Sequence, residues 1–519
     1  MRPVDGLTGP RRRQGPALRR VETRSTRHTY SESVKDVALA ATARGFRDLL
    51  QARSLLTEGS IVRAMVLART DDTHRLNRRK RRLLKDRTSL ANGTFARTAA
   101  GRRPGGWKCQ PPLEKVSAMR KKVLVLGGNF GGLTAALSVK HALDGDVDVT
   151  VVSASDRFLF NPSLIWVPFG KRSEDDITFP LAPTFGMHGV EFVHAEAKAI
   201  APIAKRVDTT AGTYDYDYLV IATGYRNDMA VVPGLEPANG VHTITTLPDA
   251  ERAGEAWRRF LDDPGPVVIG ATQGTGCFGA AYEFLFNTAH QLKKAGLKKR
   301  VPLTYVTAEP FLGHFGIGGL PGGERLLKLF CKKEGIQVIT GTALAEASPG
   351  RLVLDDGGKL DFAYAMIIPP FLGQEVVAGT PGLADTKGFV PVRDTYQSIA
   401  HPSIYAVGIA AAVTVPWTTA IPVGVPKTGF PTEVQARVAA DNIAARIRGE
   451  EQARHKDFGA IPAVCVMDAG NNGVMILADR MLPPRKAGVL IPGPQAHAAK
   501  LAFEKYFLWK ARNGYVRLP

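Results

Sequence analysis

Residues 121–132 read KKVLVLGGNFGG, and they decide the fold. An apolar run over 123–126 predicts a buried strand, 127–132 a glycine turn, 133–142 a helix and 147–152 a second strand. A strand, glycine turn and helix in that order place backbone N–H groups and a helix N-terminus where a pyrophosphate binds. The turn is Gly127-Gly128-Asn129-Phe130-Gly131-Gly132, so Asn129 stands where the second glycine of the usual motif would be. Asparagine tolerates left-handed backbone angles better than most residues, which keeps close approach to phosphate open. The second strand ends in Val152-Ser153-Ala154-Ser155, without the usual acidic ribose partner, and Ser155 or Asp156 must take that role. The plainer reading is an α/β domain with no nucleotide.

Two later segments reinforce the first. YDYLVIATG, 216–224, is a buried strand closing on Thr223 and Gly224, and IYAVG, 404–408, is another closing on Gly408. After the second come Pro426-Lys427-Thr428-Gly429 and a helix over 432–447. A fourth stretch, PGPVVIGATQGTGCFGAAYE at 264–283, repeats the strand, glycine turn and helix start, but with Cys277 where the turn would pass beneath a cofactor. A nicotinamide site needs no thiol there. The fold class implied is α/β, with tandem Rossmann-like dinucleotide-binding domains.

The chain has 519 residues and a net charge of +20, enough length for two or three domains. Residues 1–118 hold 27 basic and 10 acidic groups and the rest 41 and 38, so the basicity belongs to the leader. Low hydrophobicity with high net charge predicts disorder there, with weak helicity over 37–67. That charge specifies no groove or base contact, so a nucleic-acid partner is not expected. A start codon assigned too far upstream fits equally, because Met119 directly precedes the first strand unit. The four cysteines, Cys109, Cys277, Cys331 and Cys465, show no CxxC spacing, which argues against a zinc site or a disulfide-stapled scaffold; no metal is expected. No apolar run reaches the roughly 18 residues of a membrane span and no signal-peptide pattern is visible.

Taken together, these segments resemble the FAD signatures of the flavoprotein disulfide reductase superfamily, and within it the sulfide:quinone oxidoreductase family. The resemblance covers residues 121–515 and rests also on EPFLGHFGI at 309–317, PKTGF at 426–430, AVCVMDAG around Cys465 and KLAFEKYF at 500–507. It implies FAD held by Gly127, Gly128, Asn129, Gly131, Gly132, Ser155, Thr223, Gly224, Gly408, Lys427, Thr428 and Gly429. Lys427 would stabilise negative charge on the reduced flavin. Gly408 is followed by Ile409 instead of the aspartate that commonly binds ribitol, so ribitol needs another partner.

The resemblance also pairs Cys277 with Cys465, 188 positions apart, as a redox bridge attacked by sulfide. One cysteine becomes a persulfide and the other a thiolate facing the flavin. Glu283 and His314 match positions that handle protons. The plain alternatives are a core-filling role for each cysteine, a helix-dipole partner for Glu283 and a satisfied core residue for His314. Relatives with a third catalytic cysteine are matched here by Thr245, and a nearby histidine by Asp249, which leaves a two-cysteine cycle.

Electrons would leave to a membrane quinone contacted by Phe160, Pro162, Lys500 and Phe503, while Val466 replaces an aromatic beside the second cysteine. The segment 495–512, QAHAAKLAFEKYFLWKAR, interleaves aromatics with cations, as an amphipathic helix at a membrane surface does. Peripheral, monotopic association follows, with no NAD(P)H expected and room for a homo-oligomer. The domains implied are a leader over 1–118, an FAD-binding domain over 119–240 and 385–450, a second Rossmann-like domain over 241–384, and a quinone and membrane region over 451–519. The other readings are a type II NADH:quinone oxidoreductase, a flavocytochrome c sulfide dehydrogenase subunit, and, outside enzymes, a degenerate flavin-binding scaffold whose basic arm binds nucleic acid.

Overall fold

The computed structural model describes residues 120–143 and 146–518. The expectations for the leader, including Cys109, therefore lie outside the described residues. The first unit opens with strand β1 (Lys122–Leu126), helix α1 (Phe130–Ala142) and strands β2 (Asp148–Ser153), β3 (Glu191–His194) and β4 (Tyr218–Ile221). Beyond its first residue β1 is buried throughout, as a central parallel strand covered on both faces must be. Helix α1 starts three residues earlier than its sequence pattern implies, because Gly131 and Gly132 are already helical. A Cβ on Gly132 would lie 1.7 Å from the Gly127 carbonyl oxygen, so only glycine lets the turn fold onto the helix.

The second unit repeats the plan. Strands β5 (Val241–His242), β6 (Val267–Ala271), β7 (Leu303–Thr307), β8 (Ile336–Thr340) and β9 (Tyr364–Ile368) form a parallel sheet in the order β5-β9-β6-β7-β8. Helix α2 (Leu247–Asp262) follows β5, α3 (Phe278–Lys294) follows β6, and α4 (Gly323–Glu334) lies between β7 and β8. Strand β10 (Ile404–Ala406) then returns to the first sheet beside β4, giving β10-β4-β1-β2-β3, all parallel. Strands β4-β1-β2-β3 and β9-β6-β7-β8 thus share one order, and in each the glycine turn follows the strand at which the chain order reverses. Ligands of open α/β sheets bind beyond the strand ends at such a point.

Helix α5 (Gly429–Ile447) packs on α1 so closely that a Cβ on Gly429 would meet the Phe130 ring at 2.8 Å. The chain ends in an antiparallel sheet of β11 (Ala463–Asp468), β12 (Gly473–Ala478) and β13 (Gly488–Pro492), and in helix α6 (Pro494–Arg512). Among the described residues no helix is long and apolar enough to cross a membrane.

Helix α6 inverts the usual amphipathic rule. Lys500, Glu504 and Lys510 are buried, whereas Phe503 and Trp509 are 38% and 50% exposed. The expected arrangement, aromatics on one side with cations at its borders, is corrected here: two of the cations point inward. They do so because other segments supply acids. Lys510 donates 2.8 Å hydrogen bonds to both carboxylate oxygens of Glu433 on α5, and the buried Glu504 accepts from Arg172 and Ser163. Buried charges are tolerated only when paired in this way.

Glu309, just beyond β7, is fully buried and accepts hydrogen bonds from the Tyr282 hydroxyl at 2.7 Å, the Phe315 N–H at 2.7 Å and the Thr307 hydroxyl at 3.2 Å. Burial outweighs these donors and pushes its carboxyl up from 4.5 to about 7.

Two outcomes are expected. Glu433→Ala strands the Lys510 ammonium and should lower unfolding stability by about 3–5 kcal/mol, read from denaturant midpoints. Because the folded pKa of Glu309 is raised, its stabilising contribution is complete below the ordinary carboxylate value and is lost as pH rises through about 7. The loss amounts to roughly 3 kcal/mol. In Glu309→Gln that part of the pH dependence of stability should vanish.

Candidate active site

The first glycine turn has the form of a phosphate cradle. Gly127 takes φ +99° and a Cβ there would lie 2.4 Å from the Ala222 carbonyl oxygen. The positive angle falls on Gly127 and not on Asn129, whose φ is −85°, so the asparagine is unstrained and the anticipated left-handed conformation is not used. Asn129 caps α1 with its backbone, while its side-chain Nδ2 donates to Asn161 at 3.1 Å. Thr223 and Gly224 follow β4 and pass beside this turn. Ser155 lies exposed beyond β2, its hydroxyl held in a local turn with Arg157. The Oδ1 of Asn129, Oγ1 of Thr223 and Nε2 of Gln435 are buried without a partner among the described residues.

From the other side come Gly408, at φ +69°, and the segment leading into α5. Lys427 donates to the carbonyls of Ile409 and Ala411 at 3.0 and 2.6 Å and lies 3.8 Å over the Phe389 ring. Loss of water in this setting pushes its ammonium down to about 7. Thr428 caps α5 with its backbone and Gly429 is the first helical residue. An ammonium that makes no ion pair among the described residues, next to a helix N-terminus, suits an anionic ligand group. The unpartnered polar atoms, the glycine cradle and this cation together fit FAD.

The second glycine turn is closed by the chain itself. The Gln273 amide is bound to both backbone groups of Leu344, Gly274 N–H donates to Pro422 at 2.6 Å, and Gly424 N–H donates to Thr275 at 2.8 Å. A Cβ on Gly276 would stand 2.6 Å from the Val425 carbonyl oxygen. The acid after the second strand of this unit, which in a nicotinamide site would hold ribose, is Glu309, turned inward as described above.

Cys277 is the N-cap of α3 and Cys465 lies in β11. Both are half-buried free thiols in one neighbourhood: Cys277 acts on Cys465, and Glu283 and Lys500 act on both. Burial pushes Cys465 up to about 12, with Glu283 adding to the rise and Lys500 opposing it. Burial also raises Cys277, but the Ala280 N–H donates to its sulfur and works against the rise, as Lys500 does.

Glu283 is the meeting point. Its Oε1 accepts from the Lys500 ammonium at 2.5 Å and from the Asp468 N–H at 2.6 Å. It therefore ties together α3, which begins at Cys277, β11, which contains Cys465, and α6. Burial pushes its carboxyl up against the pull of both donors. His314 does not join this group. It is buried between Phe311 and Trp417, at 5.3 and 5.1 Å between ring centroids, with Nδ1 unpartnered among the described residues. Burial and Arg485 push its imidazole down.

Of the residues assigned to quinone contact, Phe160 and Phe503 meet at 5.9 Å between centroids. Pro162 opens the turn Asn161–Trp166 directly after Phe160. Lys500 lies one turn before Phe503 on α6, with its ammonium 5.3 Å from the Trp166 ring centroid. Phe507 and Phe130 extend the aromatic group toward the first glycine turn, with centroids 4.9 Å apart.

Several residues of the site carry no motif. Asp468 accepts from Trp166 Nε1 at 2.8 Å and pairs with His497 Nδ1 at 2.6 Å; its position three residues after Cys465 was the only cue. Tyr225, directly after Gly224, is raised in pKa by burial and, next, by Cys277, and donates to the Thr245 carbonyl at 2.6 Å. Thr245 itself donates to Asn227, which also holds Asp249.

The family model for pyridine nucleotide-disulphide oxidoreductases matches residues 121–425. The sulfide-quinone reductase of Aquifex aeolicus is 36% identical over 408 residues, covering 77% of this chain and 93% of the relative. The crystal structure of the sulfide:quinone oxidoreductase from that bacterium superposes with a TM-score of 0.72 at 35% identity, covering 76% of this chain and 92% of the other. A type II NADH:quinone oxidoreductase of Staphylococcus epidermidis is 25% identical over 410 residues, covering 72% of this chain and 93% of the relative. The chain belongs to the pyridine nucleotide-disulphide oxidoreductase family and, within it, to the sulfide:quinone oxidoreductases.

Proposed function

We propose that this flavoprotein oxidises sulfide to zero-valent sulfur at Cys277 and Cys465 and passes the electron pair to a membrane quinone. The observation that carries the reading is the convergence of two cysteines, distant in sequence, on one carboxylate and one lysine. FAD, held by the first glycine turn, Thr223, Gly224, Gly408 and the segment Lys427–Gly429, supplies an electron-pair acceptor on the sulfur side and a donor on the quinone side. The FAD-binding domain then comprises 119–240 with 385–450, and 241–384 forms the second Rossmann-like domain.

The asymmetry of the thiols gives the sulfur chemistry a direction. In thiol–disulfide exchange the sulfur with the lower pKa leaves faster. Cys277 stands at a helix N-terminus and receives the Ala280 N–H, stabilisation of charge that Cys465 lacks. Sulfide therefore attacks Cys465 of the oxidised pair: a new S–S bond forms there, the bridge breaks, and Cys277 departs as thiolate. The persulfide rests on Cys465; each further sulfide would lengthen it only after the Cys277 thiolate and the persulfide had given an electron pair to the flavin and closed a sulfur bridge between the two cysteines, and polysulfide leaves after several such rounds. His314, packed between Phe311 and Trp417, is better read as a packing residue of the loop pinned by Glu309.

Phe160 and Phe503 frame a quinone ring and Lys500 polarises its carbonyl. The exposed Phe503, Trp509 and Tyr515, with the exposed cations Lys505 and Arg512, form the surface that enters the membrane interface, where such mixtures are favoured. The closure of the second glycine turn by 422–425 and the inward Glu309 disfavour NADH as the electron donor, and with it the type II NADH:quinone oxidoreductase reading.

Anaerobic addition of sulfide should bleach the visible flavin bands and a quinone analogue should restore them, while NADH leaves them unchanged. Bleaching by NADH and not by sulfide would sink the reading. Cys277→Ala and Cys465→Ala should each retain FAD and lose sulfide-dependent quinone reduction by more than about 10³-fold. Parallel loss of FAD and activity would instead show the cysteines to be structural.

A further inference from the structure

Oxidation of H₂S by a quinone gives zero-valent sulfur and quinol. Two electrons and two protons leave the sulfur, and two of each arrive on the quinone. The Glu283 carboxylate shares the buried surroundings of both thiols, and its Oε1 is in hydrogen-bond contact with the ammonium of Lys500. Lys500 is followed one helical turn later by Phe503, which meets Phe160. Residues of the sulfur side and of the quinone side are thus joined by one hydrogen bond inside the protein.

We propose that the Glu283–Lys500 pair is an internal proton bridge that carries one proton released by sulfide directly to the quinone oxygen. The inference rests on the functional reading above and adds to it the fate of the proton. On the sulfur side an S–H bond breaks and Glu283 takes the proton. On the quinone side Lys500 gives a proton to the reduced quinone oxygen, an O–H bond forms, and Glu283 reprotonates Lys500. Sulfur is oxidised and quinone reduced by the same two electrons, and no further reactant is needed.

Three features fit. Both donors to Glu283 lie on Oε1, which leaves Oε2 to receive a thiol proton. Burial favours the neutral carboxyl, so a proton held there is not excessively costly. Glu283 and Lys500 are also nearly sealed, with side chains 10% and 4% exposed, so a proton on the pair has little direct access to solvent. The peptide N–H of Asp468 fixes the carboxylate, and the Asp468 side chain is itself fixed by Trp166 and His497. Asp468 is a positioning residue in this scheme.

The test counts protons. The FAD-loaded protein is mixed anaerobically, in weak buffer containing a pH-indicator dye, with sulfide at a pH where it is present as H₂S and with a short-chain benzoquinone. In the wild-type protein about one proton per sulfide should appear in bulk water and return on quinone reduction, because the other passes through the bridge. Glu283→Gln keeps the hydrogen-bond shape but cannot carry the proton. It should release about two protons per sulfide oxidised, with uptake of about two on quinone reduction, and its turnover should fall by about 10²-fold. Sulfide without quinone should produce a protonated-carboxyl stretch in the infrared difference spectrum of the wild type that Glu283→Gln lacks. The double variant Glu283→Gln/Lys500→Gln removes both charges together and must show the same transient, which keeps the test intact if the single variant fails to fold. A wild-type transient equal to that of the variants, or no transient in any of them, overturns the bridge. If sulfide never bleaches the wild-type flavin, the functional reading falls first and the bridge with it.

Discussion

A single buried carboxylate holds the site together. Glu283 sits one and a half turns into α3, and on Oε1 it gathers a lysine from α6 and a peptide N–H from β11. A carboxylate deprived of water is expensive unless charge and hydrogen bonds replace the lost hydration. The contact therefore constrains three segments at once: β11 must bring its N–H to Glu283, α6 must turn Lys500 inward, and α3 must start where Cys277 caps it. Glu283 in turn acts on the surroundings of both cysteines.

The two parallel sheets show how one plan diverged. Each has a glycine turn after the strand where chain order reverses. At the first turn, Asn129 Oδ1 and Thr223 Oγ1 are buried without a partner among the described residues. In the second, residues 422–425 lie against the turn, the Gln273 side chain fastens it to Leu344, and the acid beyond β7 turns into the core. The helix N-terminus that would have faced a pyrophosphate faces the Cys277 sulfur instead, and the Ala280 N–H works there against the rise that burial causes.

Helix α6 combines buried charges with exposed aromatic rings. Its inward face carries His497, Lys500 and Glu504 at i, i+3 and i+7, each paired with an acid or base from another segment. Its outward side shows Phe503 and Trp509. A helix fixed by buried ion pairs can leave aromatic rings for a membrane interface without losing its place on the body, because its docking does not depend on those rings.

The sequence by itself determined the α/β class, the first glycine turn, the strands closing on Gly224 and Gly408, and the helix after Lys427. All of these are local: apolar runs set strands, and glycines mark turns where a side chain would collide within a few residues or with the neighbouring strand. The resemblance of short motifs was enough to name Cys277, Cys465, Glu283 and Lys500. Only the tertiary structure decided that Glu283 and Lys500 are partners, that Asp468, Trp166 and His497 support them, that His314 stands apart, and that Lys510 points inward. Pairing of buried charges depends on which acid a distant segment supplies. Helical periodicity records only that a residue is charged, so the sequence pattern placed those lysines at the edge of an exposed face, and the fold placed them in the core.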